Sequence, residues 1–304
     1  MKNKLFLVLA LLLATACSDT NGSDFEDGNS GNVNANDVTK EPALSRLEFP
    51  KVKGGNSVVV IHTTNDSYGI NYSVEWDVEK KSQRWSCYQL NSALLVKNTS
   101  RASIGYVTDP NLNYPHGDLI RGTGYDHGHM CPSADRLYSK LANEQTFYVT
   151  NLQPQSKAFN GSLNGSSAYK NDWSPWYQLE SKVRVWGAST STNSKGERVP
   201  DTLYVVKGGT IDDEKQFTLN GQLRIPKYFF VALLLKNSSG YKAVGFWMEH
   251  MGSYTSKVSI ADCAVNIRKL EELTGIDFFC NLPDDVENKV ETLPIENIKR
   301  AWSL

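Results

Sequence analysis

The chain reads Gly124-Tyr125-Asp126-His127-Gly128-His129-Met130-Cys131-Pro132-Ser133-Ala134-Asp135-Arg136 and, after a short interval, Phe147-Tyr148-Val149-Thr150-Asn151-Leu152-Gln153-Pro154-Gln155. An Asp-x-Gly-His turn is thus followed by an apolar segment ending Thr-Asn-x-x-Pro-Gln, and Phe147 to Thr150 has the composition of a strand. Asn160 and the pair Leu179-Glu180 lie downstream. An imidazole at His129 accepts a proton near neutral pH, which suits a general base. Gly128 would let the backbone approach a substrate or take a conformation that other residues avoid.

Outward from this stretch the chain is rich in strands. Val58 to His62, Tyr72 to Trp76 and Trp85 to Leu90 precede it, and Leu203 to Lys207, Lys227 to Leu235 and Ala243 to Met248 follow. So many strands with few helices between them predict an α+β fold built on a mixed, largely antiparallel sheet. Two helices are signalled. One has Ser174 as N-cap and Pro175 in the first turn, with Trp176, Leu179, Val183 and Trp186 on one stripe. Glu180 and Arg184, four apart, share a neighbouring line of that helix. The other runs from near Asp262 to Gly275, with Ala264, Ile267, Leu270 and Leu273 on one side.

Together these motifs resemble the DNA/RNA non-specific endonuclease family, the Serratia-nuclease and mitochondrial endonuclease G type. Thr274-Gly275-Ile276-Asp277-Phe278-Phe279 is similar to that family's C-terminal signature, and with Ile225-Pro226-Lys227-Tyr228-Phe229-Phe230 the resemblance covers roughly residues 58–285. It implies flanking helices and a ββα-metal (His-Me finger) catalytic motif. It also implies Mg²⁺-dependent hydrolysis of DNA and RNA phosphodiester bonds, indifferent to sugar and sequence, to 5′-phosphate products, with Mn²⁺ able to substitute. Carried onto this chain, the resemblance makes His129 the general base, Asn160 the direct metal ligand, and Asp126 and Glu180 carboxylates around the metal's waters. Arg101, ahead of Asp109-Pro110-Asn111-Leu112, faces the scissile phosphate, and Arg184 is a second phosphate-side cation. Asn151 buttresses the site and Arg136 supports the turn.

Two departures stand out. The family has Asp-Arg-Gly-His where this chain has His127, which removes a fixed positive charge and makes His127 a groove or packing residue. Glu180 follows Asn160 by twenty residues, after a segment rich in Gly, Ser and Asn, instead of by about two helical turns. If that insertion precedes the metal ligand, Asn171 or Asp172 takes the role. His62, His116 and His250 have no motif around them and read as structural.

The N-terminus carries Lys2 and Lys4 before an apolar run, Leu5 to Ala14, too short to span a bilayer. Small residues before Cys17 resemble a lipoprotein signal, implying cleavage after residue 16 and acylation of Cys17, the chain's only expected membrane contact. Ser18 does not suggest inner-membrane retention. Residues 17–48, dominated by Ser, Asn, Gly and Asp up to about Lys40, read as a flexible acidic tether. The endonuclease domain is expected over 49–290 and a tail over 291–304. The expected location is the cell envelope of a bacterium, anchored in the outer membrane. No protein partner is expected.

Residues 1–48 hold four of the 32 Lys and Arg and seven of the 33 Asp and Glu, so the remainder carries a net charge of +2. That excludes a polybasic nucleic-acid binder and places any affinity in a local groove. Cys87, Cys131, Cys263 and Cys280 permit two disulfides in an exported protein, with Cys87–Cys131 and Cys263–Cys280 preferred. Two other readings compete. His127, His129 and Cys131 alternate along an extended segment and would suit a hydrolytic zinc site. The chain would alternatively be a catalytically inactive, surface nucleic-acid-binding lipoprotein.

Overall fold

The apolar run Phe229-Phe230-Val231-Ala232-Leu233-Leu234-Leu235 is buried throughout, because both faces of its strand are covered. The computed structural model describes residues 31–65, 67–112, 117–163, 170–212, 218–219 and 222–304. The signal peptide, Cys17, the first part of the tether and His116 lie outside them.

In chain order, β1 (Ser57–Thr63), β2 (Ile70–Asp77) and β3 (Ser82–Leu90) form a meander. The hairpin of β4 (Asp126–His129) and β5 (Leu152–Gln155) follows, with helix α1 (Lys140–Gln145) between its strands. Helices α2 (Lys157–Asn160) and α3 (Pro175–Gly187) precede the small hairpin β6 (Thr190–Thr192) and β7 (Arg198–Pro200) and the long strand β8 (Thr202–Gly209). Next come the pair β9 (Thr218–Leu219) and β10 (Leu223–Arg224), the hairpin β11 (Tyr228–Asn237) and β12 (Gly240–Glu249), and β13 (Ala264–Val265). Helices α4 (Ile267–Thr274), α5 (Asp284–Glu291) and α6 (Ile295–Trp302) complete the order.

The main sheet has the order β1-β2-β3-β8-β11-β12-β13, with every pair antiparallel. Alternation along β11 divides the core. Phe229, Val231, Leu233 and Leu235 meet Phe159 and the α3 residues Trp176, Leu179 and Val183, while Phe230, Ala232 and Leu234 meet Ile267, Leu270, Phe278 and Val290. Each large apolar side chain so buried contributes about 1.5–3 kcal/mol. Helix α3 forms as its sequence predicts: the Ser174 hydroxyl accepts from Tyr177 N, and Pro175 begins the first turn. The first face of the sheet therefore holds Leu179 in the core and leaves the adjacent Glu180 at its margin.

Several expectations are corrected. Phe147 to Thr150 is not a strand; a 3-10 turn over Val149–Asn151 precedes β5, because the Asn151 side chain binds main-chain groups that a ladder would otherwise use. The second helix starts at Ile267, since Ala264–Val265 pairs with β12 and Asn266 is the N-cap. The stretch taken as tether is packed from Asn32: the Asn32 amide donates to the carbonyls of Cys280 and Leu282, and Asn36 Nδ2 donates to Pro50 O at 3.0 Å. Residues 291–304 are not a tail, because α6 buries Ile298 and Trp302 against the sheet.

The cysteines are also corrected. Cys87, Cys131, Cys263 and Cys280 are all free thiols. Cys87 packs in the core on the α4 side of the sheet and Cys131 in the core on the α3 side, so the sheet separates the preferred pair.

Candidate active site

The β4–β5 hairpin is held by side chains that sequence spacing does not reveal. Gly128 faces Gln153 in register, and a Cβ on it would lie 2.3 Å from Gln155 Cδ. The glycine is therefore needed for close packing against a side chain, and its φ is not in the left-handed region. Asn151 is fully buried: its Oδ1 accepts from Cys131 N at 2.8 Å, and its Nδ2 donates to Cys131 O and Thr146 O, both at 2.9 Å. This is the buttressing role expected of it. Arg136, 1% exposed, donates to the carbonyls of Asp135, Asn71 and Gln89 and supports the turn.

At the end of β4, His129 Nδ1 donates to His127 O at 3.1 Å, which fixes the tautomer and leaves Nε2 as the basic nitrogen. That Nε2 is covered and has no hydrogen-bond partner among the described residues. Burial, and after it the charge of Arg101, pushes His129 down to about 3, so the ring is neutral at physiological pH. Phe147 meets the ring edge-on at 5.3 Å, and the Arg101 guanidinium lies over the Phe147 ring, 4.8 Å from its centroid. Arg101 is exposed and has no carboxylate partner among the described residues.

The short helix α2 ends at Gly161, whose φ of +71° closes the turn and sets Asn160 at its mouth. Asn160 Nδ2 donates to Asp126 Oδ2 at 3.0 Å, and Ser162 Oγ donates to the same oxygen. Asn160 Oδ1 takes no hydrogen bond among the described residues. Arg101, Asp126, His127, His129, Asn160 and Glu180 line one cavity of about 370 Å³. The fit to a hard divalent ion is good: an unengaged amide oxygen and two carboxylates converge on one polar cavity.

Other expected positions lie elsewhere. Arg184 is bound to Asp135 at 3.1 Å and is not in the cavity wall. Asn171 and Asp172 are outside it too, and Asp172 pairs with Lys257 at 3.4 Å. His127 binds Asp118 at 2.8 Å and stacks on Tyr106 at 3.7 Å, a packed residue at the cavity wall. His62 pairs with Asp109 at 2.7 Å, both fully buried. His250 accepts from Ser156 N at 2.7 Å. The zinc grouping does not form: Cys131 is fully buried in the core, where burial pushes its thiol up to about 12, and His127 is engaged with Asp118.

Sequence reasoning missed Tyr106, Ser162 and, beneath Glu180, Lys207. Lys207 is a charge directly following the apolar run Leu203 to Val206 in the same strand, a mismatch legible in the sequence. A larger cavity of about 460 Å³ opens on the α4 side between Lys51, Arg84 and Trp247; Thr274, Gly275, Ile276 and Asp277 of the C-terminal signature line it, and none of the residues around His129 does.

An antiparallel sheet bearing a histidine hairpin, with an amide and two carboxylates across a polar cavity, defines a ββα-metal hydrolase. The comparisons make this specific. The sequence profile of the DNA/RNA non-specific endonucleases matches residues 55–285, and the chain belongs to that family. It is 25% identical over 237 residues to a nuclease of Nostoc sp., covering 73% of this chain and 75% of that protein. It is 22% identical over 238 residues to human mitochondrial nuclease EXOG, covering 72% of this chain and 58% of that one. Among solved structures, one of an EndoG/EndoGI complex aligns with a TM-score of 0.55 at 19% identity, covering 75% of this chain and 89% of that chain, a likeness of fold. The protein is an endonuclease of this family.

Proposed function

We propose that the protein is a Mg²⁺-dependent endonuclease, with Mn²⁺ able to substitute, that cuts DNA and RNA without regard to sugar or sequence and leaves 5′-phosphate ends. The observation that carries this reading is His129: a neutral imidazole, its Nδ1–H fixed on a carbonyl, with an unpartnered Nε2 in the wall that also holds Arg101, Asn160 and Glu180.

His129 Nε2 takes a proton from the attacking water, which approaches phosphorus in line with the 3′ oxygen; the bond to that oxygen breaks as it takes a proton from solvent water and leaves as a hydroxyl. The Nδ1–H bond to His127 O keeps the ring oriented as the proton arrives. The negative phosphate offsets the charge of Arg101, so the imidazole becomes a stronger base once substrate is bound. Arg101, with no carboxylate partner among the described residues, lies against the charge that develops on the phosphoryl oxygens. Asn160 Oδ1 would hold the cation directly, and Asp126 and Glu180 would hold it through water, Asp126 also orienting the Asn160 amide. A divalent ion held there would supply Lewis-acid neutralisation of the charge building on the reacting phosphate. Contacts confined to phosphate explain indifference to sequence.

We propose further that the protein is lipid-anchored through Cys17 in a bacterial cell envelope, a reading supported by the apolar run Leu5 to Ala14 and the small residues before Cys17. The test of the activity is cleavage of supercoiled plasmid and of a long RNA by the purified protein with Mg²⁺, with Zn²⁺ and with EDTA. Mg²⁺-dependent nicking of both, lost in His129→Ala, is the expected result. Activity retained in His129→Ala, or seen only with Zn²⁺, would sink it.

A further inference from the structure

Lys207 lies on β8, opposite Ser86 on β3 and Val231 on β11, at the middle of the sheet. Its neighbours on the same face, Leu203 and Val205, belong to the core beneath α3. The lysine is 1% exposed, and its Nζ has no hydrogen-bond partner among the described residues. Its surroundings are the Trp176 ring at 5.2 Å, the Tyr88 ring at 5.9 Å and Glu180 Oε1 at 4.0 Å. Burying an ammonium without hydrogen bonds is costly, and cation–π contacts to two rings offset only part of that cost. An apolar side chain of equal volume would serve stability as well or better.

The position of Lys207 relative to the cavity explains its presence. Glu180 is 23% exposed and lines the cavity, with Lys207 directly behind it. The other buried acid nearby, Asp135, is already engaged by Arg184 Nη1 and by the Tyr88 hydroxyl, both at 3.1 Å. Lys207 is thus the cation that answers Glu180. We propose that Lys207 is a positioning residue: its ammonium holds Glu180 Oε1 against the sheet and presents the carboxylate to the cavity in one orientation. This rests on the reading that Glu180 holds the hydration of a divalent ion.

The test uses the whole protein in four forms: wild type, Lys207→Met, Glu180→Gln and the double variant, with Lys207→Gln in parallel. Binding of Mn²⁺ alone is read from the electron paramagnetic resonance of the free ion, plasmid cleavage as kcat and KM, and folding as Tm. Loss of a group that orients a metal-site carboxylate costs about 10–100-fold in affinity or activity. Lys207→Met is expected to lose kcat in that range with little change in KM, to bind Mn²⁺ more weakly, and to melt no lower than wild type. The double variant is expected to be no worse than Glu180→Gln, since the lysine acts through that carboxylate. Additive losses in the double variant, or Mn²⁺ binding in Lys207→Met at or above wild-type strength, overturn the proposal. Failure of both lysine variants to fold does so as well, by assigning Lys207 to the core alone. A wild type that binds Mn²⁺ but cleaves nothing would defeat the nuclease reading instead, while leaving the binding comparison legible.

Discussion

Replacing Asn151 with Asp exchanges one amide nitrogen for oxygen and leaves the shape unchanged. Asn151 is fully buried, and its Oδ1 accepts from Cys131 N while its Nδ2 donates to the carbonyls of Cys131 and Thr146. Aspartate keeps the acceptor, loses both donors and sets a carboxylate oxygen against two carbonyl oxygens. Two lost hydrogen bonds at about 1 kcal/mol each, with the cost of an unpaired buried charge, give a loss of roughly 3–5 kcal/mol. In a domain of this size that lowers Tm by roughly 10 °C. Protonation restores one donor, so the deficit is expected to shrink as the pH falls toward 4 and below. Circular-dichroism melts at neutral and acid pH, with plasmid cleavage alongside, check this. A Tm within about 2 °C of wild type, together with tighter divalent binding, would refute the reasoning, because a carboxylate improves a metal ligand and ruins a buttress.

Arg101→Ala should cut kcat/KM by about 100-fold through the lost phosphate contact. It should also move the acid limb of the kcat/KM–pH profile upward, since Arg101 is among the groups that hold His129 below its ordinary value in the free enzyme; a limb that stays put removes His129 as the base. Burial and crowding raise the Glu291 carboxyl, and burial pushes Glu287 up to about 7. Acids raised on folding stabilise most below their unfolded value near 4.5, and that contribution is lost as pH rises through the folded value, so stability should decline from about pH 4.5 to above 7. Glu291→Gln is accordingly expected to gain roughly 1–2 kcal/mol at pH 8 and little at pH 5, read from urea melts at the two pH values; a loss at pH 8 contradicts it. Cys17→Ser should move the protein from the membrane to the soluble fraction of cells, and continued membrane association would disprove lipidation there.

The strands and α3 were legible because alternation, an N-cap serine and a first-turn proline are local signals. His129, Asp126, Asn160, Glu180 and Arg101 were legible because order along the chain is enough to compare motifs, and they do meet in one cavity. What stayed hidden depends on distant partners. The Phe147 to Thr150 segment is strand-like in composition, yet Asn151 diverts it with bonds to Cys131 and Thr146. Helix α6 was missed although Ile295, Ile298 and Trp302 make a short stripe, because only the sheet face beneath it explains the burial. Arg184 shares a helix line with Glu180, but the buried Asp135, invisible to helix periodicity, captures it.

The zinc alternative fails for a related geometric reason, and its failure bears on the mechanism. Alternation would put His127, His129 and Cys131 on one side only if the segment stayed extended beyond His129. Strand β4 ends at His129, where Met130 N donates to Asn151 O and the chain turns into the core, carrying Cys131 with it. The same turn leaves His129 as the last ladder residue, with its ring at the cavity and its Nδ1–H on its own strand. A histidine so placed is committed through one nitrogen to the backbone and keeps the other as a proton acceptor, a division of labour that metal ligation at Nε2 would abolish. The turn that excludes the thiol from the cavity is therefore the one that equips the imidazole to act as a base.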